Sequence, residues 1–394
     1  MPNPRVKLSQ PPLDADVTDL AAGLRGKRIV VTGGTGFIGG RLVEQLVNQY
    51  TVRPVVLVRS MARGEGIKRI GAAVEVVKIT DRAAVSAALK GCNVIFHCAY
   101  DSVDRAANLQ GVSNLIEACL SNGARLVHVS TFAIYQPFPD QRLTEDIPAK
   151  RSGSAYSDNK LEIETEIVEA VRSRGLDAVI LMPTIVYGGG TWTGGPVRLL
   201  LTGTVILPGA GDGLCNAVHV DDVCQALLLA AVVPAARGGR YFISSVAPVT
   251  WRAFFEGYAR IVGCPGPHVD SQIPVLSEPE LPSVRARVKR LLTSPLKMVT
   301  RSAMARRIAY WMRARLGDKA NSWMKRFYYR HAVPIVHTLD AEFYGAKCHI
   351  VIDKAAHELG YAPAYDFERG MAATAAWIKD NFRDEITAIE NRKP

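Results

Sequence analysis

A tyrosine and a lysine four residues apart are the side chains of this sequence best suited to moving a proton. Tyr156 and Lys160 share one face of a predicted helix, because residues i and i+4 lie one turn apart. A free phenol titrates near ~10, and a neighbouring ammonium favours its ionised form, so its effective pKa can fall toward neutral pH. A solvated helix face with the same spacing is the alternative interpretation, and the pair gains meaning only from other motifs.

A glycine-rich turn near the start of the chain is the second chemical signal. Residues 31–40 read Val-Thr-Gly-Gly-Thr-Gly-Phe-Ile-Gly-Gly, after a β-rich run and before a helical pattern. A strand, a glycine turn and a helix N-terminus in this order can hold a dinucleotide pyrophosphate. The glycines Gly33, Gly36 and Gly39 suit a tight turn, close approach of backbone to phosphate, and close helix–strand packing. With the tyrosine–lysine pair, whose lysine can also hold the nicotinamide ribose, the motif predicts a redox enzyme.

A hydroxyl at the end of a predicted strand is the third candidate group. Ser130 and Thr131 end the run Arg125–Ser130 and begin the next segment, and Thr131 lies four residues before Tyr135. A hydroxyl there can hydrogen-bond a substrate oxygen as its charge changes. A Ser/Thr pair that simply caps a strand or starts a turn is the alternative.

Short Val/Ile-rich runs alternate with amphipathic stretches from Lys27 to about Ser245, which is typical of repeated βαβ units. The runs are apolar without alternation, as in a sheet covered on both faces. We therefore predict an α/β protein with a doubly wound parallel sheet of Rossmann type. The predicted strands are Arg28–Thr32, Val55–Val58, Val74–Lys78, Val94–His97, Arg125–Ser130, Ala178–Met182 and Tyr241–Ser244, and the predicted helices include Ala83–Lys90, Asp104–Ser121, Asn159–Arg174, Trp251–Val262 and Phe367–Phe382.

The alternation of strand-like and helical patterns ends after Val249. This change predicts a smaller, mostly C-terminal substrate-binding lobe, with the substrate bound between this lobe and the nucleotide-binding domain. The predicted organisation is a flexible leader over 1–26, a nucleotide-binding domain over 27–187 plus 216–247, a substrate lobe over 188–215 plus 248–345, and a C-terminal return with a closing helix over 346–394.

Composition excludes several classes of protein. No run approaches the roughly 18 apolar residues of a membrane span, and the proline-rich N-terminus has no apolar signal core, so we expect a cytoplasmic protein. The seven cysteines are odd in number and show no paired metal spacing. They predict buried reduced thiols and no metal site.

One segment makes the chain basic. Residues 285–330 contain fourteen Lys or Arg and a single acid, Asp318, so this segment has a net charge of +13. The whole chain has a net charge of +11, so the remaining residues sum to −2. Apolar residues recur there at helical spacing, and the alternatives are a lid packed on the main domain, peripheral binding to an anionic membrane surface, and binding of an acidic carrier or diphosphate substrate. No nucleic-acid-binding motif accompanies the charge, so we predict no nucleic-acid partner.

Taken together, these motifs resemble an extended short-chain dehydrogenase/reductase, the NAD(P)-dependent epimerase/dehydratase family. The resemblance covers about residues 27–262 and 345–380. The matching stretches are Thr32–Gly39, His97-Cys98-Ala99, Ser130-Thr131 with Tyr135, Tyr156-x-x-x-Lys160, Pro183–Gly188, Val218–Val223 and Leu359-Gly360-Tyr361-x-Pro363.

The resemblance assigns roles to individual residues. It implies that Tyr156 is the acid/base, Lys160 its electrostatic partner and Thr131 the hydroxyl that orients the substrate, with Ser130 one register away from the family position. It also implies a homodimer through Asp104–Ser121 and Asn159–Arg174. The implied cofactor contacts are Gly33, Thr35, Gly36, Phe37, Ile38, Gly39, Arg59, Ala99, Tyr156, Lys160, Pro183 and Ile185.

Departures from the family pattern bear on the cofactor. Folds that prefer NAD usually place an acid after the second strand, where this chain has Arg59. A guanidinium suits a 2′-phosphate, so NADP is favoured and NAD is the alternative. Lys78 stands near the place of the usual adenine-contacting Asp, with Asp81 three residues later, and Met182 replaces the arginine common before Pro183.

The reaction follows from what is missing after Thr131. Dehydratases of this family carry an Asp-Glu pair there, whereas this chain has Phe132-Ala133, so elimination of water is disfavoured. We expect hydride transfer at a secondary alcohol or ketone carbon, either as epimerisation with a retained cofactor or as net reduction or oxidation. The leading substrate class is a nucleotide-linked sugar, which the loop Gly209–Gly213 favours by resemblance. The alternative is a ketone reductase or 3β-hydroxysteroid-dehydrogenase-like enzyme on an apolar substrate. A non-catalytic dinucleotide-binding protein is disfavoured because all three catalytic types are present.

Overall fold

A parallel sheet of seven strands forms the centre of the molecule. The structure, a computed structural model, describes residues 16–190, 192–203, 205–270 and 338–390. The central strands run in the order β12-β7-β5-β4-β1-β2-β3, and every neighbouring pair is parallel. The strands are β1 Ile29–Thr32, β2 Val55–Val58, β3 Ala73–Val76, β4 Val94–His97, β5 Arg125–Val129, β6 Arg142–Leu143, β7 Ala178–Pro183, β8 Ile185–Tyr187, β9 Ile206–Pro208, β10 Leu214–Cys215, β11 Ala217–His219, β12 Arg240–Ile243, β13 Val249–Thr250, β14 His268–Asp270 and β15 His349–Ile350.

Helices cover both faces of this sheet, because its strands are apolar on both sides. Alternate strand residues enter two separate hydrophobic cores, so that Val31 packs on one face and Val30 on the other. The helices are α1 Asp16–Leu24, α2 Phe37–Asn48, α3 Met61–Ile70, α4 Arg82–Ala88, α5 Arg105–Asn122, α6 Ala155–Arg174, α7 Gly194–Leu201, α8 Val220–Val232, α9 Trp251–Val262, α10 Thr338–Gly345, α11 Asp353–Leu359, α12 Phe367–Asn381 and α13 Arg383–Glu390. The predicted doubly wound α/β fold is confirmed.

Part of the predicted flexible leader is an ordered helix, so the expectation over 1–26 is wrong from residue 16 onward. Helix α1 packs against α8, and Leu20 and Leu24 are buried in the core beside the sheet. The two leucines lie one turn apart and form a single apolar stripe, which is the physical reason the segment folds. Residues 1–15 lie outside the described residues.

A third core lies beyond the carboxyl end of the sheet. It joins α7, α9 and α12, with Phe254 and Phe367 at its centre and ring centroids 5.8 Å apart. The closing helix α12, which the sequence assigned to a separate C-terminal return, therefore packs in the same core as residues 194–201 and 251–262.

Several expectations about the rest of the chain can be placed only in part. The basic segment 285–330, with its alternatives of lid, membrane surface and acidic carrier, lies outside the described residues. Within the described ranges no helix is long and apolar enough to cross a membrane. All seven cysteines are free, and five of them are buried.

Candidate functional site

The glycine loop after β1 folds tightly against the end of β4. Gly33 has φ of +73°, and a Cβ on this residue would lie 2.5 Å from the Ala99 backbone nitrogen. A Cβ on Gly39 would lie 2.5 Å from the Gly33 carbonyl oxygen, so α2 also approaches the loop too closely for any side chain. The two glycines thus do what the sequence predicted of them: one makes the turn and the other allows close helix–strand packing.

The N-terminus of α2 points out of this loop without a side-chain cap. The N-cap residue is Gly36, which has no side chain that could cap the helix, and Thr35 and Gly36 are exposed. Uncapped N–H groups at a helix N-terminus attract anions such as a pyrophosphate. The first two helical residues, Phe37 and Ile38, are half-buried, and Phe37 packs so closely on Gly190 that a Cβ there would lie 2.4 Å away. The loop is a cradle shaped by absent side chains, and it fits a dinucleotide.

Lys160 is buried beneath the carboxyl end of β5. Lys160 is only 4 % exposed, and its Nζ donates a hydrogen bond to the Val129 carbonyl oxygen at 2.9 Å. Burial lowers the pKa of this ammonium to about 8, although Glu164 and Cys98 favour its charged form. The lysine is consequently anchored to the strand that leads into Thr131.

Tyr156 and Thr131 meet at the same end of β5. Tyr156 is 42 % exposed, and the buried Thr131 side chain lies close enough to the phenol to influence its pKa. Burial of the phenol raises the pKa of Tyr156, and the contact with Thr131 only partly opposes this. Within the described part of the chain, Lys160 is not among the groups that act on the phenol, so the expected lowering of the Tyr156 pKa by this ammonium is not found. The Thr131 Oγ1 also accepts a hydrogen bond from the Ala133 N–H at 3.2 Å, which starts a short 3₁₀ turn.

An aromatic residue that sequence reasoning missed joins the tyrosine to the lysine. The Tyr100 ring meets the Tyr156 ring edge-on, with centroids 5.2 Å apart, and lies 4.7 Å from the Lys160 Nζ. A cation–π contact of this kind stabilises the ammonium. The available signal was its position directly after Ala99, which the sequence had placed at the cofactor.

A buried ion pair below these groups was also missed. Glu164 is 2 % exposed and accepts a hydrogen bond from the Ser130 hydroxyl, and its Oε2 lies 2.7 Å from Arg240 Nη2. The Ser130 hydroxyl therefore has a hydrogen-bond partner inside the protein. The sequence had favoured Thr131 over Ser130 as the hydroxyl that orients the substrate. The sequence signal was the spacing, because Glu164 follows Lys160 by one further helical turn.

The Arg240 guanidinium also lies beside Met182, the residue that replaces the arginine common before Pro183 in the family. Arg240 Nη2 lies 3.5 Å from Met182 Sδ and donates to the Tyr135 hydroxyl at 3.4 Å. Strand β12 runs beside β7, so a side chain from the neighbouring strand supplies the positive charge.

Arg59 does not project freely at the end of β2. Its Nη1 donates to Asp101 Oδ2 at 2.8 Å, and Asp101 follows β4. Lys78 is exposed, and Asp81 Oδ1 accepts a hydrogen bond from Ala84 N, so Asp81 serves as the N-cap of α4.

The remaining predicted residues line the edge between β7 and β8. Pro183 is buried and Ile185 half-buried, while the Ile185 N–H donates to the Asn216 carbonyl oxygen at 2.9 Å. Asp222 accepts hydrogen bonds from Ala364 N and Tyr365 N, so it fastens the C-terminal return to α8 rather than facing the site.

Together these groups can relay one proton beside a bound dinucleotide. In the described part of the chain, no group of three or more His, Cys, Asp or Glu side chains is placed to hold a metal ion.

Comparison with known proteins identifies the family. The family model "NAD dependent epimerase/dehydratase family" matches residues 29–243. The chain is 29 % identical over 242 residues to 4-hydroxy-2-methyl-3-oxo-4-farnesyl-3,4-dihydroquinoline-1-oxide ketoreductase of Stigmatella aurantiaca, covering 58 % of this chain and 71 % of that protein. It is 26 % identical over 306 residues to 2-alkyl-3-oxoalkanoate reductase of Shewanella oneidensis, and the match covers 71 % of this chain and 77 % of that protein.

A solved structure agrees with this assignment at the level of the fold. The dTDP-glucose 4,6-dehydratase of Bacillus anthracis in complex with NAD superposes with a TM-score of 0.64 and 18 % identity, over 91 % of this chain and 98 % of that chain. The family match spans the glycine loop, β5, α6 and the whole seven-stranded sheet. This chain belongs to the NAD dependent epimerase/dehydratase family and has the fold of the extended short-chain dehydrogenases/reductases.

Proposed function

We propose that this protein is an NADP-dependent reductase or dehydrogenase that interconverts a ketone and a secondary alcohol. The observation that carries the proposal is the convergence of Thr131, Tyr156 and Lys160 at the carboxyl end of β5, next to the glycine loop. A bound nicotinamide supplies or accepts the hydride. The chain has to orient the substrate oxygen and exchange one proton with it.

Tyr156 is the group assigned to that proton. Its ring is half exposed, so a substrate can reach its hydroxyl, and Thr131 lies within hydrogen-bonding reach to share the same oxygen. Burial raises the pKa of Tyr156, so the phenol is protonated in this arrangement and ready to donate to a ketone oxygen. Lys160, whose Nζ donates to the Val129 carbonyl oxygen, is the group proposed to bind the ribose hydroxyls.

An apolar substrate is supported by the side chains exposed at this edge of the protein. Val103 and Val246 are 66 % and 70 % exposed, and they follow the carboxyl ends of the central strands β4 and β12. Ligands of open α/β sheets bind at the carboxyl ends of the strands, and exposed apolar residues there favour apolar ligands. The names of two reductases to which this chain is similar describe ketones with alkyl or farnesyl groups. We therefore place the apolar ketone first.

A nucleotide-linked sugar remains the second candidate. It is supported by the loop Gly209–Gly213, where Asp212 pairs with Lys347 Nζ at 2.5 Å. That lysine is 44 % exposed and could meet a diphosphate. Elimination of water stays disfavoured, because Phe132 and Ala133 follow Thr131 where a dehydratase needs carboxylates.

The deciding experiment is a turnover assay of the full chain with NADPH and NADH. One panel holds 3-oxoacyl esters and alkyl ketones, and the other holds UDP- and dTDP-sugars, with product configuration followed by NMR. Oxidation of NADPH by apolar ketones supports the first assignment, and epimerised sugar supports the second. Turnover that persists undiminished in Tyr156→Phe would contradict both.

We also infer a homodimer through α5 and α6. The two helices pack side by side, and their outer surface combines the half-buried Leu161 with the partly exposed Arg174–Glu117 pair, whose Nη1 and Oε1 are 2.5 Å apart. Sedimentation at increasing concentration tests this, and a monomer at high concentration would contradict it.

A further inference from the structure

An ion pair connects the two sides of the glycine loop. Arg59 directly follows β2, and Asp101 comes four residues after β4. In the sheet, β1 lies between β4 and β2, so the loop that follows β1 is flanked by both residues. Arg59 Nη1 donates to Asp101 Oδ2 at 2.8 Å. The contact therefore joins chain segments on opposite sides of the proposed pyrophosphate cradle.

Asp101 is the fixed member of this pair. Its Oδ1 accepts hydrogen bonds from Val103 N at 2.9 Å and from Asp104 N at 3.2 Å. Asn108 holds the main chain on both sides, accepting from Asp101 N at 2.9 Å and donating to Asp101 O at 2.8 Å. Partial burial raises the pKa of Asp101, but the N–H donors and the Arg59 guanidinium outweigh it and keep the pKa below its ordinary value. The carboxylate is thus charged and held in place.

Arg59 is the member that can turn. Its side chain is 58 % exposed, and within the described residues Asp101 Oδ2 is the acceptor recorded for its guanidinium. A guanidinium has five N–H donors in a planar fork, so a second anion can share it or replace the first. An exposed ion pair of this kind contributes little to stability, so its exchange costs little.

We propose that Asp101 sets the strength of the preference for NADP over NAD by competing with the 2′-phosphate for Arg59. The inference rests on the proposed NADP-dependent function and deepens it. When Arg59 turns to a 2′-phosphate, it leaves behind a fixed carboxylate that repels that phosphate. A 2′-hydroxyl needs no such exchange and meets no repulsion. Asp101 thereby opposes NADP selectively, and Arg59 favours it.

The test is the affinity of the full chain for NADPH and NADH, measured by fluorescence titration at low salt. In Asp101→Asn the amide oxygen still accepts from Val103 N and Asp104 N, while the charge is gone. We expect the Kd for NADPH to fall roughly 3- to 10-fold and that for NADH to change less than about 2-fold. The fragments 2′,5′-ADP and ADP should differ in the same way, and added salt should shrink the NADPH effect.

Two controls separate this effect from a general change of charge. Glu65→Gln removes one negative charge from α3, where Glu65 is 64 % exposed and pairs with Arg69, and should alter neither Kd. Arg59→Ala should weaken NADPH, and adding Asp101→Asn to Arg59→Ala should recover less affinity than Asp101→Asn gains alone. That difference reports the competition for the guanidinium.

The outcomes are distinguishable from failure of the proposed function. If Asp101→Asn weakens NADPH, or shifts NADPH and NADH equally while both still bind, the competition is refuted and the dinucleotide function stands. If the unaltered chain binds neither nucleotide, the proposed function and the role of Asp101 are refuted together.

Discussion

The ammonium of Lys160 and the carboxylate of Glu164 lie one turn apart on α6, both almost completely buried, and each favours the charged form of the other. Tyr156 lies one turn earlier, so three successive turns of one helix carry an exposed phenol, a buried ammonium and a buried carboxylate. Two charged groups are thus buried directly behind the exposed Tyr156. Their burial should affect stability in ways that can be measured.

The buried ammonium should make stability depend on pH. Burial brings the pKa of Lys160 down from 10.5 to about 8 in the folded chain. Between these values the folded state binds fewer protons than the unfolded state, so the penalty is complete below pH 8 and disappears as pH rises toward 10.5. Relative to Lys160→Met, the unaltered chain should therefore gain up to about 3 kcal/mol of unfolding free energy between pH 7 and pH 10.5.

Urea denaturation at several pH values measures this gain. Lys90→Met is the control for the loss of one positive charge, because Lys90 is exposed and lies two residues after the end of α4. A difference between Lys160→Met and the unaltered chain that stays constant over this range would contradict the assigned burial.

The buried pair Glu164–Arg240 should show strong coupling. Removing one partner leaves the other charge unpaired in the interior, which typically costs about 3–5 kcal/mol. We expect Glu164→Gln and Arg240→Met each to lower the unfolding free energy by about 3 kcal/mol, the lower limit of this range, because the Arg240 side chain is 25 % exposed. The double variant should lose less than the sum of the two. Additive losses in a urea double-mutant cycle would refute the coupling.

The glycine loop should not tolerate a methyl group at Gly33. Gly33→Ala combines a φ of +73° with a Cβ 2.5 Å from Ala99 N, so the loop has to shift. The left-handed conformation alone costs about 1–2 kcal/mol. We expect a loss of at least that size in thermal unfolding and a weakening of NADPH binding by more than about 10-fold, since the backbone forms the cradle.

Gly66→Ala is the matched control for this substitution. Gly66 lies inside α3 with open space around its Cβ position. Alanine there should raise stability by up to about 1 kcal/mol and leave nucleotide affinity unchanged. Equal effects of the two substitutions would argue against the cradle.

The Tyr156 hydroxyl should matter for the reaction and for little else. Tyr156→Phe removes the group that exchanges the proton, so we expect kcat to fall about 10²- to 10⁴-fold. Because the residue is 42 % exposed, unfolding should change little, and the Kd for NADPH should stay within about 2-fold. Stopped-flow turnover, thermal unfolding and nucleotide titration separate these three effects.

Much of the fold was predictable because its signals are local. The seven central strands are short, mostly apolar runs; two have the predicted bounds, and the other five differ from them by one or two residues. The roles of Gly33 and Gly39 followed from a motif whose spacing is set by turn geometry. Helices α1 and α8 were not predicted. Their apolar character reflects burial between layers, and Val220–Val232 has almost no polar face to reveal a helical period.

The sequence alone predicted a glycine turn suited to a dinucleotide, a hydroxyl at a strand end, and a phenol and an ammonium one helical turn apart. Only the tertiary structure decided which charges meet. Arg59 and Asp101, separated by 42 residues, became partners because β1 lies between β2 and β4, and Arg240 reached Glu164 and Met182 because β12 lies beside β7. Spacing along a helix or a turn is fixed by local backbone geometry, whereas the order of strands depends on how all the layers bury their apolar faces together.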